Sequence, residues 1–372
     1  MTDATSRNIL VLGASGLIGR YVTDDLRARG FAVIGVARTF SAGQRRSARD
    51  LELPLLALDE GELARLIGDH NIDLVVNCLG VLQDGPGSDT SAVHRDFVAR
   101  LLAAIRQSGR GVVVHISIPG AANDDRTAFS QTKREAEKLI AASGVAYAIL
   151  RPGFVVAPSA YGGSAMLRAL AALPIALPAK EGATPFQPVA IEEISATIAF
   201  LAGRDIGDAA TSAVTWDLMQ PERMSLAAVI AEFRTAFGTK DWPRLRLPSI
   251  LLDLGARLGD VAARLGWMSP MRSTAIAELR RGVDGDPRAW MQATGIVPRT
   301  IAQVVGQRPA SIQDKWFARL FLVKGLVIAS LVAFWCVSGL IALVVSYDAA
   351  AGILSAHRFR HRSWRRSPSA PA

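Results

Sequence analysis

Through the first 155 residues, short apolar runs rich in β-branched residues alternate with amphipathic stretches. The runs Ile9–Gly13, Ala32–Ala37, Leu53–Leu58, Leu74–Cys78, Val112–Ser117 and Ala146–Arg151 predict strands. Between them, Ile18–Arg29, Glu62–Gly68, Ala92–Gln107 and Phe129–Ala142 repeat apolar residues at helical spacing. Strand and helix in strict alternation predict an α/β fold, a doubly wound parallel sheet with helices on both faces. Residues 152–225 are richer in Pro and Gly, with a helix expected near Ile191–Ala202 and a late strand near Ala213–Leu218. Residues 226–320 read as mostly helical. Within them, Pro248–Trp267 places apolar residues at 250, 251, 254, 258, 261 and 265. Such a stripe lies on a membrane surface or covers a core, and the core is the commoner use.

One segment breaks the pattern. Gly325 to Tyr347 runs for 23 residues without a charge, enough at about 1.5 Å per residue to cross a hydrocarbon core of about 30 Å. A transmembrane helix is expected there. Lys315, Arg319 and Lys324 precede it and a five-arginine tail follows, so the positive-inside rule points both ways. The start of the chain runs straight into the first strand, and no cleavable leader is expected. The large N-terminal part is therefore expected in the cytoplasm, at the inner membrane.

Composition changes the picture only once the charges are placed. Of 372 residues, 42 are Lys or Arg and 33 Asp or Glu, giving +9, and the pI near 10.1 invites a nucleic-acid reading. Residues 355–372 hold five of the arginines and no acid, so the other 354 residues carry only +4. The body is close to ordinary, and nucleic acid is not expected as a partner. Beside an apolar span, the tail suits anionic headgroups better. Cys78 and Cys336 stand apart, which makes neither a disulfide framework nor a metal site.

The first strand ends in Gly13-Ala-Ser-Gly16-Leu-Ile-Gly19 and a helix follows. Glycines at this spacing let the backbone turn sharply and approach a pyrophosphate, which then meets the free N–H groups and positive dipole of the helix start. Gly13, Ser15, Gly16, Leu17, Ile18 and Gly19 are the expected cofactor-binding loop. The second strand ends in Ala37-Arg38-Thr39, with Arg45 and Arg46 beyond. No acid stands at its end for the ribose hydroxyl of NAD, and a guanidinium suits a 2′-phosphate, so NADP(H) is favoured with NAD(H) second. Asp59 is either a partner for the adenine amino group or a solvated loop acid.

Gly13-x-x-Gly16-x-x-Gly19, Asn77-Cys-Leu-Gly80, Ser117 and Leu150-Arg151-Pro152-Gly153 together resemble an atypical short-chain dehydrogenase/reductase over about residues 8–240. Phe186-Gln-Pro-Val189 is similar to that group's substrate-side element. The branch it most resembles holds the Rossmann-type subunit of respiratory complex I. The resemblance implies that Asn77, Gly80 and Pro152 line the cofactor, that Ser117 faces the nicotinamide and that Lys133 binds its ribose. From Asp314-Lys-Trp-Phe317 onward the chain resembles the start of a DoxX-like membrane domain. The domains expected are 1–240 Rossmann with substrate-side elements, 241–313 a helical neck, 314–354 a membrane segment and 355–372 a basic tail. That tail is either a natural juxtamembrane segment or the product of a disrupted reading frame.

The family's Tyr-x-x-x-Lys signature reads Phe129-Ser-Gln-Thr-Lys133 here. Phenylalanine has no proton to exchange. His115, Tyr161, Asp124 and Asp125 are the substitutes to weigh, each reading more simply as a strand or loop residue. His94 and His115 lack metal-ligand spacing. Two functions follow. One is a membrane-anchored, NADP-preferring oxidoreductase or epimerase-like enzyme, with Ser117 and Lys133 in the site and a lipophilic substrate such as a quinone or isoprenoid. The other is a non-catalytic NAD(P)H-binding sensor or assembly module of a membrane complex.

Overall fold

A computed structural model describes residues 7–44, 47–85, 88–204, 213–239, 243–264, 266, 271–344, 352–353 and 356. Arg45, Arg46, Leu265, residues 345–347 of the expected span and residues 357–372 of the tail lie outside the described residues. The chain divides by its contacts into a body, 1–318, and a second unit, 319–372.

The body opens with β1 (Asn8–Leu12), α1 (Leu17–Ala28), β2 (Ala32–Ala37) and β3 (Leu51–Glu52). Then come α2 (Glu60–Asp69), β4 (Leu74–Asn77), α3 (Phe97–Ser108), β5 (Val112–Ile116), α4 (Ala128–Ala142) and β6 (Tyr147–Pro152). The Pro- and Gly-rich region supplies β7 (Phe154–Val156), α5 (Gly162–Ala172), β8 (Ile175–Ala176), α6 (Ala179–Gly182), β9 (Pro185–Phe186) and β10 (Pro188–Ala190). After α7 (Ile191–Ala202) and β11 (Ala213–Leu218) come β12 (Met224–Ser225), α8 (Leu226–Ala236) and β13 (Leu245–Arg246). The last helices are α9 (Ser249–Arg264), α10 (Ser273–Arg281), α11 (Arg288–Thr294), α12 (Ile301–Gly306) and α13 (Ile312–Val344).

Seven strands form a parallel sheet in the order β11-β6-β5-β4-β1-β2-β3. The chain winds outward from β1 to β3, returns to β4 and winds the other way, so the topological switch falls between β1 and β4. Alternate residues of each strand face opposite layers. Ile9, Val11, Val76, Val114 and Leu150 pack with Val22 and Leu26 of α1 and Ile191, Ile194 and Ile198 of α7. Leu10, Leu12, Val75, Val113 and Ile149 pack on the other face with Leu63, Ile67, Phe97, Leu101 and Ile140 of α2, α3 and α4.

Three expectations change. Leu53–Leu58 is no strand: pairing stops at Glu52, Pro54 offers no N–H to a ladder, and Leu55–Ala57 coil into a 3-10 turn. The region expected as a neck sends Trp290 of α11 into the core under α7, where its Nε1 donates to Thr197 Oγ1 at 2.9 Å. The α9 stripe does not cover a core: Ile250, Leu251, Leu254, Leu258 and Val261 are exposed, while Leu252, Ala256, Gly259 and Ala263 form the buried face.

In the second unit, α13 is long and apolar enough to cross a membrane, and its apolar residues from Leu326 to Val344 are largely exposed.

Candidate functional site

The glycine loop occupies the carboxyl end of β1, at the switch point. Gly13 has φ +80° and donates its N–H to Val36 O at 2.8 Å, while Gly16 N–H returns to Gly13 O at 3.0 Å. A Cβ on Gly19 would lie 2.2 Å from Gly13 O, so only glycine lets the first turn of α1 sit this close to the loop. Gly16 is the N-cap of α1 and brings no side chain to cap it. The leading N–H groups of α1, from Leu17 and Ile18 onward, therefore face outward for an external acceptor. Leu17 and Ile18 turn their side chains onto the core, and Ser15 O accepts from Gln44 Nε2 at 3.2 Å. This cradle fits a dinucleotide diphosphate.

Arg38 is exposed at the end of β2. One strand further out, Glu52 accepts the Phe40 N–H at 2.9 Å, so an acid does stand near this end of the site, held by backbone. Asp59 is an N-cap. Its carboxylate accepts Glu62 N–H at 2.7 Å and Glu62 returns the bond to Asp59 N–H, a closed capping box on α2.

The carboxyl ends of β4 and β5 bring the remaining residues together. Asn77 Oδ1 accepts Leu79 N–H at 3.1 Å and its Nδ2 lies 3.2 Å from His115 Nδ1. With Oδ1 already an acceptor, the amide donates to Nδ1, which places the His115 proton on Nε2. Lys133 Nζ, on α4, donates to Ile116 O at 2.8 Å and to Leu79 O at 3.3 Å. A Cβ on Gly80 would lie 3.7 Å from that amine and 3.8 Å from His94 Nε2. Burial lowers Lys133 to about 8, against the pull of Cys78 and Glu137. Desolvation raises the Cys78 thiol to about 12, which rules it out as a thiolate nucleophile.

His94 sits in a π-helical turn, Ala92–Asp96, ahead of α3. Its Nε2 accepts Val81 N–H at 3.1 Å, so Nδ1 donates to Thr132 Oγ1 at 2.8 Å. Burial first, and Lys133 second, lower its pKa to about 3, so the ring stays neutral. Phe129, at the tyrosine position, is half-buried and meets His94 edge-on, with centroids 5.6 Å apart.

Ser117 is buried just beyond β5, anchored by its N–H to Leu150 O at 2.7 Å. Its hydroxyl meets no acceptor at full hydrogen-bond geometry, but it faces Glu137 and helps keep that carboxylate ionised. Glu137 lies one turn beyond Lys133 and was not foreseen; its spacing on the lysine face of α4 is the signal that could have found it. Arg151 Nε and one terminal nitrogen hold its two oxygens at 2.8 and 2.6 Å, and Arg134 holds both at 3.2 and 3.1 Å. The two guanidiniums outweigh desolvation and keep Glu137 below the ordinary carboxylate value. Pro152 is buried at the end of β6, and a Cβ on Gly153 would lie 2.2 Å from Gln187 O. Here the chain leaves β11 to run beside β10.

Of the four substitutes for the missing phenol, two are engaged elsewhere and two are exposed. Asp125 is clamped between Arg134 at 2.9 Å and Arg281 at 2.8 Å. Tyr161 is 68% exposed at the start of α5, Asp124 is exposed, and His115 is buried in the sheet layer.

A parallel sheet, a glycine loop at the switch point and a buried lysine at the next strand ends define a dinucleotide-binding oxidoreductase-type domain. The chain belongs to the NAD dependent epimerase/dehydratase family, which it matches over residues 9–223. Among curated proteins it is similar to the chloroplastic divinyl chlorophyllide a 8-vinyl-reductase of Cucumis sativus. The two are 32% identical over 163 residues, spanning 39% of this chain and 38% of that protein. Among solved structures, the fold is similar to Bordetella bronchiseptica WbmH in complex with NAD+, with TM-score 0.60, 14% identity and coverage of 85% and 98%. It is equally similar to the Thermotoga maritima UDP-glucose 4-epimerase with UDP-glucose, with TM-score 0.60, 16% identity and coverage of 80% and 97%.

Proposed function

We propose that this protein is a membrane-anchored NAD(P)H-dependent reductase that prefers NADP(H) and acts on a lipophilic acceptor of the quinone or isoprenoid class. The observation that carries the reading is the glycine cradle at the switch point, where Gly13 and Gly19 exclude any side chain and α1 presents its N–H groups. The bound nicotinamide would supply a hydride. Gly13, Ser15, Gly16, Leu17, Ile18 and Gly19 would hold the diphosphate and Arg38 the 2′-phosphate. Asn77, Gly80 and Pro152 would line the nicotinamide half. Lys133 would donate to the ribose hydroxyls and Ser117 would hydrogen-bond the acceptor. Asp59, committed to its capping box, is a weaker candidate for the adenine amino group.

Phe129 shapes the choice of reaction. Interconverting an alcohol and a ketone needs a group to exchange the hydroxyl proton, and Phe129 supplies none. A reductase whose acceptor takes its proton from solvent does not need one. The similarity to a vinyl-reductase favours this reading over the sugar-nucleotide epimerisation named for several of the fold relatives. Membrane attachment rests on α13, which we read as the start of a DoxX-like membrane segment at the inner membrane, with the body cytoplasmic.

The same Phe129 favours a second reading, a non-catalytic NAD(P)H-binding module of a membrane complex. The test is NADPH oxidation by the full-length protein in detergent, with ubiquinone and menaquinone analogues and α,β-unsaturated isoprenoid ketones, beside a separate assay of UDP-sugar epimerisation with NAD+. Turnover with the lipophilic acceptors supports the reductase. Cofactor binding without turnover on any acceptor supports the module, and turnover confined to UDP-sugars overturns the acceptor class.

A further inference from the structure

The exposed apolar side chains of α9 sit at positions 250, 251, 254, 258 and 261. At 100° per residue they fall within an arc of about 100°, a single continuous stripe. Ile250 is 73% exposed and Val261, near the far end, 51%. The acids of α9 are turned away from it. Asp253 pairs with Arg280 at 2.8 Å and Asp260 with Arg272 at 3.0 Å, both toward α10. Arg257 and Arg264 fall on the helix between those acids and the stripe and border it along one edge. Upstream, Arg244 and Arg246 flank Leu245, itself 69% exposed. Apolar side chains fringed by arginines, with the acids neutralised on the inner side, match the boundary of an anionic bilayer.

We infer that α9 lies along the membrane surface, with Ile250, Leu251, Leu254, Leu258 and Val261 in the acyl boundary and Arg257 and Arg264 among anionic headgroups. This inference rests on the membrane anchoring proposed above, which brings a bilayer within reach of the body. An antiparallel pairing with a second copy would set the bordering arginines against each other, whereas anionic headgroups neutralise them. The surface also connects to the site. α9 packs on α10, and α10 reaches the segment after Ser117: Arg281 donates to Pro119 O at 2.6 Å and pairs with Asp125, and Glu278 accepts from Thr127 Oγ1. Arg272 donates to Asp84 O at 3.0 Å, in the loop beyond Gly80. α10 therefore links the proposed bilayer face to the segment after Ser117 and to the loop beyond Gly80.

The test uses the full-length protein lacking both native cysteines (Cys78→Ala, Cys336→Ala), reconstituted into vesicles of phosphatidylcholine and phosphatidylglycerol. Single bimane labels are placed at L254C, L258C, V337C in α13 and R29C at the end of α1. Nitroxide lipids labelled along the acyl chain serve as quenchers. The expected result is loss of most bimane emission at 254, 258 and 337 and none at 29, with the loss at 254 and 258 weaker in pure phosphatidylcholine. Quenching at 337 with unchanged emission at 254 and 258 overturns the docking while leaving the anchor intact. Disulfide cross-linking between copies of unlabelled L254C protein in the same vesicles, with no quenching at 254, assigns the face to self-association. No quenching at 337 overturns the anchor and, with it, this inference.

Discussion

Arg151 grips both carboxylate oxygens of Glu137, at 2.8 and 2.6 Å, and so ties the end of β6 to α4 one turn beyond Lys133. Arg134 closes on the same carboxylate and passes the chain of charges to Asp125 and Arg281. Removing one member of a buried pair leaves its partners uncompensated. Glu137→Gln is expected to cost about 3–5 kcal/mol in a urea titration. The pH dependence has a definite sign. Glu137 lies below its ordinary 4.5 when folded, so its contribution is full above that pH and is lost as the pH falls through the lower folded value. The gap between wild type and Glu137→Gln should therefore narrow on acidification below 4.5.

Lys133, lowered to about 8 by burial, leads to a second prediction. If its ammonium binds the ribose, NADPH affinity in the wild type falls as the pH rises through about 8. Lys133→Met should bind about tenfold more weakly, near 1.4 kcal/mol, and show no inflection there. Stability moves the other way. The buried ammonium is penalised below about 8, and the penalty is relieved as the pH climbs to 10.5. Relative to Lys133→Met, the wild type should gain up to about 3 kcal/mol over that window.

Arg38 tests the choice of nucleotide. Arg38→Ala should weaken NADPH by about tenfold or more while leaving NADH nearly unchanged, by fluorescence titration. Equal weakening of both would remove the argument for a 2′-phosphate contact.

Trp290 tests the packing of the segment after α10. Its side chain is fully buried and its Nε1 donates to Thr197. Trp290→Ala should cost about 3–5 kcal/mol by denaturant unfolding. A loss below 1 kcal/mol, roughly that of a surface substitution, would mean that this region contributes little to the body.

The doubly wound sheet was legible because strand and helix periods alternate without interruption from Ile9 to Arg151, and each expected parallel strand but one appears within a few residues. The exception, Leu53–Leu58, carries an apolar run that Pro54 prevents from extending the ladder. The tight glycine turn was legible because its three glycines stand between the first strand and the first helix. The charge network was not: Glu137, Arg134 and Arg281 look like ordinary polar residues of helices, and only the fold turns them toward one another. Asp59 was ambiguous for the opposite reason, since an acid ahead of a helix serves as a cap as readily as a ligand contact. The α9 stripe shows the limit of periodicity, which marks an apolar face without saying what covers it.

The most direct test is titration of the purified full-length protein with NADPH and NADH, read by nicotinamide fluorescence and by the shift in melting temperature. The cradle predicts saturable binding with a rise in Tm, abolished by Gly19→Val, whose side chain would collide with Gly13 O. Absence of binding for both nucleotides by the wild-type protein would contradict the account.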